Sequence, residues 1–299
     1  MKKYSNSKTD RKTRLQVVEP AELMLFLREK MPDRSRNNIK SLLTNRQVSV
    51  DCKVVTMYNH LLRLGQEVVI NWSIERSKEV EKEGLNIVYE DAELIVIDKP
   101  AGLLTIATDM EKEATAYHQL MNYIRKTSPD NRIFIVHRLD RDTSGLILFA
   151  KNEEVKNLLQ NGWKELMVER AYLAVVEGPV HKKEGTIKSW LLETKTKLMY
   201  SSSKPGEGLE AITHYKVLQT TVNYSLLEIQ LETGRKNQIR VHMKDIRHSI
   251  AGDKKYGAKT NPIGRLGLHA QILSFYHPLT KELMRFQTEI PPKFSQLFK

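Results

Sequence analysis

The most chemically loaded stretch of the chain is VHRLDRDTSGLILFA, residues 136–150. His137, Arg138, Asp140, Arg141, Asp142, Thr143, Ser144 and Gly145 crowd in front of a continuous apolar run, Leu146 to Ala150. That run suits a buried strand, and Thr-Ser-Gly suits a sharp turn before it. Polar residues gathered at a strand end are a common setting for a functional site. Arg138 and Arg141 flank Asp140, and nearby cations favour the ionised form of a carboxylate. A carboxylate held in that form acts as a nucleophile or a base. Taken alone, the pattern fits a salt-bridged surface turn as well, because ion pairs on loops are common.

A second constellation is LETGRKNQIRVHM, residues 231–243. Thr233-Gly234 interrupts a strand, and Gln238 to Met243 run into a helix. Arg235, Lys236 and Arg240 cluster at the break. A helix start with added arginines suits an anion, although a plain turn with solvated cations has the same spacing. A third stretch, GDKKYG at 252–257 followed by RLGLHAQILSFYHP, is less obviously chemical. Its glycines read as turns and its apolar alternation as sheet.

These residues need elements to position them. Hydrophobic residues make up 40% of the 299 and charged residues 28%, so a packed core is feasible. No apolar run approaches the length of a membrane span, and the basic N-terminus has no apolar stretch behind it, so neither a membrane protein nor a secretory signal is expected. The single cysteine, Cys52, excludes a disulfide framework and a cysteine-based zinc cluster, and a reducing cytoplasm fits best. Lysine and arginine number 48 against 36 aspartate and glutamate, for a net charge of +12. That excess favours a polyanionic partner, although a basic enzyme that binds no polyanion has the same composition.

Residues 1–15 read as a basic, flexible arm, and 16–76 as a compact module. In the module, Leu23, Phe26 and Leu27 have helical spacing. A second helix starts after Ser35, buries Ile39, Leu42 and Leu43, and stops at Asn45. Short strands follow at Val48–Val50 and Val68–Ile70. Arg34, Arg36 and Lys40 lie on the polar side of the second helix, where they suit a phosphate backbone. An ordinary charged helix face has the same spacing. Residues 77–84, SKEVEKEG, are charged and aperiodic and read as a linker. Residues 85–299 form the larger domain. Strands are expected at 86–99 with a turn at Glu90-Asp91, at Leu146–Ala150, at AYLAVVEG, at Leu227–Leu231 and at Leu268–Phe275. Helices are expected over 153–169 and 236–246. Strands dominate without strict alternation with helices, so the class is α+β with a mixed or antiparallel sheet. The polar stretch Thr194–Glu210 reads as a loop.

HRLDRDTSGLILFAKN is similar to the signature of the RluA-type pseudouridine synthases. Further family blocks follow in order: DKPAGLLT, RAYLAVVEG, TGRKNQIRVHM, AGDKKYG and RLGLHAQILSFYHP. The resemblance covers essentially all of 85–299, and ordered blocks are far more specific than one motif. DRSRNNIKSLLTNRQVSVDCKVV with LLRLGQEVVI resembles the S4-like RNA-binding domain. It departs from that pattern at Asp51-Cys52-Lys53, where Asn-Gly-Lys is usual, and at Gln66, where an acid is usual.

The resemblance implies a pseudouridine synthase fold, with a central mixed, mainly antiparallel sheet, behind a small α/β S4-like domain. It implies that Asp140 is the catalytic carboxylate, that Tyr172 packs against the target base, and that Arg240 pairs with the aspartate. Arg138 helps fill the gap left by the flipped base, and Arg235 lies on RNA. Asn237 replaces a usual histidine, so this position is structural or contacts RNA and donates no proton near neutral pH. Isomerisation involves no redox change or group transfer, so no cofactor and no metal are expected. The chain has neither GxxxxGK[ST] nor HExxH. The expected partner is RNA, most of all 23S-type large-subunit ribosomal RNA, with transfer RNA second, acted on by a monomer. Two other readings remain open on residues alone. One is a non-catalytic RNA-binding or ribosome-assembly factor. The other is a metal-dependent hydrolase using His137, His242, His269 or His277, whose spacing is poor for ligation.

Overall fold

Charge alternates with partial burial along the first strand, β1 (Lys12–Gln16), where Thr13 and Leu15 turn inward and Lys12, Arg14 and Gln16 turn out. The computed structural model describes residues 12–32, 34, 36–44, 47–71, 85–108, 111 and 114–299. The chain divides into two compact units, Met1–Gly84 and Leu85–Lys299. The expected helix cap at Ser35, the stop at Asn45, the linker at 77–84 and the arm up to residue 11 lie outside the described residues.

In the first unit, β1 is followed by β2 (Ala21–Glu22), α1 (Leu23–Lys30) and α2 (Arg36–Thr44). Four more strands follow: β3 (Val48–Val50), β4 (Lys53–Val54), β5 (Leu61–Leu62) and β6 (Glu67–Asn71). One sheet has the order β1-β6-β3-β4, and β2 pairs β5. Leu23, Phe26 and Leu27 of α1 are buried with Ile39 and Leu43 of α2, Val48, Val50, Val68 and Ile70. Residues 12–15 therefore do not belong to an arm. They pair antiparallel with β6, Leu15 packs on the core, and Arg14 reaches Glu67 at 3.0 Å. Outward charge on this edge strand discourages further pairing, and in the sequence that same charge imitates a tail.

The two departures from the S4-like pattern answer each other. Asp51 and Cys52 both take positive φ, 45° and 65°, as the two central residues of a tight hairpin turn require. Asp51 accepts hydrogen bonds from the Glu67 backbone at 3.0 Å and from Gln66 Nε2 at 2.8 Å, which hold its carboxyl below the usual range. An acid at 66 would repel Asp51, whereas glutamine donates to it.

The second unit opens with β7 (Asn86–Glu90), β8 (Leu94–Lys99), α3 (Ala116–Ile124), β9 (Phe134–Ile135) and β10 (Ser144–Ala150). Then come α4 (Glu153–Asn161), α5 (Trp163–Leu166), β11 (Met167–Glu177), β12 (Glu184–Glu193), β13 (Met199–Ser202), β14 (Leu209–Thr220) and β15 (Tyr224–Leu231). It closes with α6 (Gln238–Asp245), a 3-10 turn at Lys254–Tyr256, β16 (Leu268–Tyr276), β17 (Leu283–Gln287), α7 (Pro292–Ser295) and a last 3-10 turn. The sheet runs β13-β12-β14-β15-β11-β16-β10-β8-β7, with β17 on β16 and β9 on β10. Among the described strands of this sheet only β10 and β16 pair in parallel, so the sheet is mixed and mainly antiparallel and the class is α+β. Among the described residues no helix is long and apolar enough to cross a membrane.

Two expectations need correction. The helix expected over 153–169 ends at Gly162, whose N–H caps Leu158, and Met167 onward joins β11. The loop expected at 194–210 is partly sheet, because Met199–Ser202 pairs with Trp190–Glu193. Its alternation is short and polar, so no apolar period announces it.

All seven residues of β10 are buried. Gly145 has φ +111°, and a Cβ there would stand 2.1 Å from the Ala270 carbonyl oxygen of β16. The close parallel approach of the two strands thus requires glycine at this position. Gly145→Ala is expected to cost about 3 kcal/mol or more in combined strain and clash. Calorimetry should show Tm lowered by about 10 °C. A change within about 2 °C would contradict this account of the approach.

Candidate active site

The loop carrying Asp140 precedes β10 and is bound to the turn after β8. Lys99 ends β8 with its side chain fully buried, and Nζ donates to the carbonyls of Pro100 (2.9 Å), Leu103 (2.7 Å) and Arg141 (3.1 Å). Burial pushes its pKa down to about 8, against the opposing pull of Asp142 and Asp140. Thr105, also buried, accepts from the Leu139 N–H and donates to the Leu139 carbonyl at 2.8 Å. Gly102 N–H donates to the Arg141 carbonyl at 2.9 Å. A closing turn, Thr143 N–H to the Asp140 carbonyl, then leads into β10. Asp140 is thereby fixed on a backbone clamped from two sides.

The flanking arginines do not hold it. Arg141 Nε turns back to the Gly102 carbonyl at 3.3 Å, and Arg138 is exposed. The cation at Asp140 is Arg240 of α6, with Nη1 at 3.2 Å from Oδ2. Neighbours in sequence diverge around a tight turn, whereas a residue 100 positions later is brought in by the sheet.

Arg240 is itself held firmly. Its Nε and Nη2 each donate to Asp253 at 2.7 Å, a two-pronged pair whose carboxylate is 1% exposed. Its guanidinium carbon lies 4.8 Å from the centre of the Tyr256 ring. Asn237 Oδ1 accepts from Nη1 at 3.4 Å, and Asn237 Nδ2 donates to the Tyr256 hydroxyl at 2.9 Å. Burial disfavours the guanidinium charge, but the hydrogen bonds and charge of Asp253, with Asp140 added, outweigh it and push the pKa up. Asn237 thus has a positioning role, and its positive φ of 54° sets the entry to α6. Gln238 secures that entry. Its side chain accepts from Thr233 Oγ1 and the Arg235 N–H, and donates to the Ile212 carbonyl and Thr213 Oγ1.

Tyr172 sits on β11, packed between the cores on either side of the sheet's middle. Burial raises its pKa, Arg170 opposes this and Asp140 adds to it, so the phenol stays protonated at neutral pH. Asp140, Tyr172 and Arg240 line one cleft of about 400 Å³, and Arg138, Arg170, Trp163 and Arg235 share its wall. Arg235 donates from Nε to the Glu210 carbonyl at 2.9 Å, leaving its charge exposed at the rim. Arg34, Arg36 and Lys40 are exposed on the first unit, at or beside α2. A larger, open hollow beside α4 is lined by Glu153, Glu154 and Glu165 and contains none of these residues.

The four histidines considered as ligands are occupied elsewhere. His137 accepts from the Leu148 N–H, and burial lowers its pKa to about 3. His242 bonds Ser189 and Thr213, and burial lowers its pKa to about 4. His269 joins Ser144 to Thr288, and His277 accepts from the Leu279 and Thr280 N–H groups. Among the described residues no group of three His, Cys, Asp or Glu side chains could hold a metal.

Sequence reasoning overlooks Lys99, Asp253, Tyr256 and Arg170. Lys99 and Asp253 both stand in turn-rich blocks, DKPAG and AGDKKYG, where a charged residue passes for a solvated one. Arg170 reaches the Leu231 carbonyl at 3.2 Å and lies 5.5 Å from the Trp163 ring.

Comparison with known proteins shows the family. The family model described as RNA pseudouridylate synthase matches residues 93–245. The chain is 35% identical over 280 residues to Uncharacterized RNA pseudouridine synthase YlyB of Bacillus subtilis (strain 168), covering 92% of each. It is 32% identical over 289 residues to Ribosomal large subunit pseudouridine synthase D of Escherichia coli (strain K12), covering 91% of this chain and 88% of that one. The solved structure of Human RNA Pseudouridylate Synthase Domain Containing 4 shares the fold at a TM-score of 0.59 and 22% identity, over 73% of this chain and 92% of that one. The chain belongs to the RluA-type RNA pseudouridine synthases, isomerases that act on uridine in RNA.

Proposed function

We propose that Asp140 is the catalytic carboxylate, and that it acts on a uridine of large-subunit ribosomal RNA turned out of its stack into the cleft. The observation that carries this is the meeting of Asp140, Tyr172 and Arg240 on one cleft, with Arg240 at 3.2 Å from the carboxylate. A base can be reached only outside the stack. Tyr172 offers the extruded ring a flat, protonated surface, and Arg240 stabilises the carboxylate on which every route depends. The bond from N1 to C1′ breaks, the base turns, and C5 bonds to C1′. The C5 proton is lost to solvent and N1 gains one. Asp140 can add to the ring, attack C1′ or remove a proton from C2′, and each role needs the ionised side chain.

In this reading Arg138 helps occupy the gap left in the stack, and Arg235 contacts the RNA beside it. The first unit acts as an S4-like RNA-binding domain through Arg34, Arg36 and Lys40, joined to the catalytic domain by residues 77–84. The ribosomal substrate is supported by the name of the relative that is 32% identical over nearly the whole chain. Pseudouridine mapping of total RNA from cells with and without the protein tests the reading. The expected result is a loss confined to uridines of large-subunit ribosomal RNA. Loss confined to transfer RNA would overturn the substrate.

A further inference from the structure

Three short segments meet beside the supports of Arg240, and each brings an exposed lysine. Lys236 comes from the turn before α6, Lys197 from the turn between β12 and β13, and Lys255 from the 3-10 turn after Asp253. Lys236 pairs with Glu193 at the end of β12, and Lys255 Nζ reaches the Lys197 carbonyl at 3.4 Å. The hydrogen bond from Lys236, despite opposing burial, and the charges of Lys236, Lys197 and Lys255 hold the Glu193 carboxyl below its usual range. One lysine thus pairs with the carboxylate, and the other two, joined by the Lys255 to Lys197 hydrogen bond, add their charge beside it. Exposed ion pairs of this kind are worth little in water, so another anion can replace the carboxylate at small cost.

The same segments support the catalytic arginine. The Tyr256 hydroxyl accepts from Asn237 Nδ2 at 2.9 Å and from the Met199 N–H at 3.2 Å, while its ring lies beneath Arg240. Asn237 and Arg235 line the cleft, with Lys236 between them in the chain. An anion bound by the three lysines therefore draws together the segments that aim Arg240.

We propose that Lys197, Lys236 and Lys255 form a subsite for a backbone phosphate of the substrate RNA, next to the target uridine, where Glu193 keeps the lysines together until the phosphate replaces it. This rests on the reading that the uridine enters the Asp140 cleft. It makes the enzyme selective for a polynucleotide, because a free nucleoside has no flanking phosphate to complete the arrangement.

The test uses the full chain and a fluorescein-labelled RNA hairpin with a uridine in its loop, with binding followed by anisotropy across a KCl series. Lys236→Ala, Lys255→Ala and Lys197→Gly are each expected to weaken binding about fivefold near 0.1 M salt. Each should also make the dependence of log Kd on log salt shallower by about 0.7 to 0.9. Glycine is chosen at 197 because φ there is 64°, which it adopts without strain. Glu193→Gln should tighten binding several-fold. Lys182→Ala, at the far end of β12, should leave the slope unchanged. The proposal is overturned if at least two of the three lysine variants keep the parent slope, if Lys182→Ala lowers it equally, or if Glu193→Gln weakens binding. None of these readings depends on turnover. A failure of the Asp140 assignment would appear instead as pseudouridine formation by a protein lacking that carboxylate.

Discussion

Asp140→Asn is expected to abolish tritium release from RNA labelled at C5 of uridine, lowering kcat by at least about 10⁴-fold, while the protein still binds RNA. Asparagine keeps the volume and the oxygen that faces Arg240 at 3.2 Å, so the clamp of Lys99 and Thr105 on the loop has no reason to loosen. What disappears is the charge and the basic oxygen. Addition to the ring, attack at C1′ and proton removal from C2′ all need an anionic, basic oxygen, and a neutral amide supplies none. Removing an anion from a cleft that receives an anionic polymer also relieves repulsion. Kd for RNA should therefore stay level or fall, which separates lost chemistry from lost binding. Tritium release above about one hundredth of the parent rate, with Kd unchanged, would remove Asp140 from the reaction.

Much of this site can be read from residue types, and its supports cannot. Continuous apolarity in Leu146–Ala150 and helical spacing in Leu23, Phe26 and Leu27 report burial directly, so β10 and α1 are legible in the residues themselves. Periodicity reports which face is buried and is silent about what it meets. Nothing in TSGLILFA tells that Gly145 lies against Ala270, because a parallel pair has no local turn to announce it. The same silence misleads at Asp140. Arg138 and Arg141 are its sequence neighbours and the natural candidates for its cation. A tight turn sends them away, and the cation comes from α6 across the sheet. Lys99 is equally hidden. A lysine before proline and glycine suggests a solvated turn, yet its ammonium fills a buried nest of three carbonyls. Ordered family blocks bridge these gaps, since they mark positions without explaining the contacts.

Asp253→Asn is the second large effect expected, and it acts mainly through Arg240, beside a weaker cap on the Tyr256 N–H at 3.3 Å. The Asp253 carboxylate, 1% exposed, accepts from both Nε and Nη2 of Arg240 at 2.7 Å, so it is the principal partner of that guanidinium and Asp140 the lesser one. An amide turns one of the two acceptors into a donor facing a donor and leaves a partly buried cation short of a charge. Breaking a buried pair from one side costs about 3–5 kcal/mol, which for a domain of this size lowers Tm by roughly 10 °C. Freed from its anchor, Arg240 settles on Asp140 alone, the carboxylate proposed to react. At 20 °C, where the variant remains folded, kcat should fall about 100-fold or more, since misplacement by about 1 Å has that cost. Kd for RNA should hardly move, because Asp253 is buried behind the cleft wall. That split between kcat and Kd marks a positioning residue, for a merely structural loss would lower kcat and raise the apparent Kd together by reducing the folded fraction. Unchanged kcat in a folded Asp253→Asn protein would show that Arg240 finds Asp140 without its anchor.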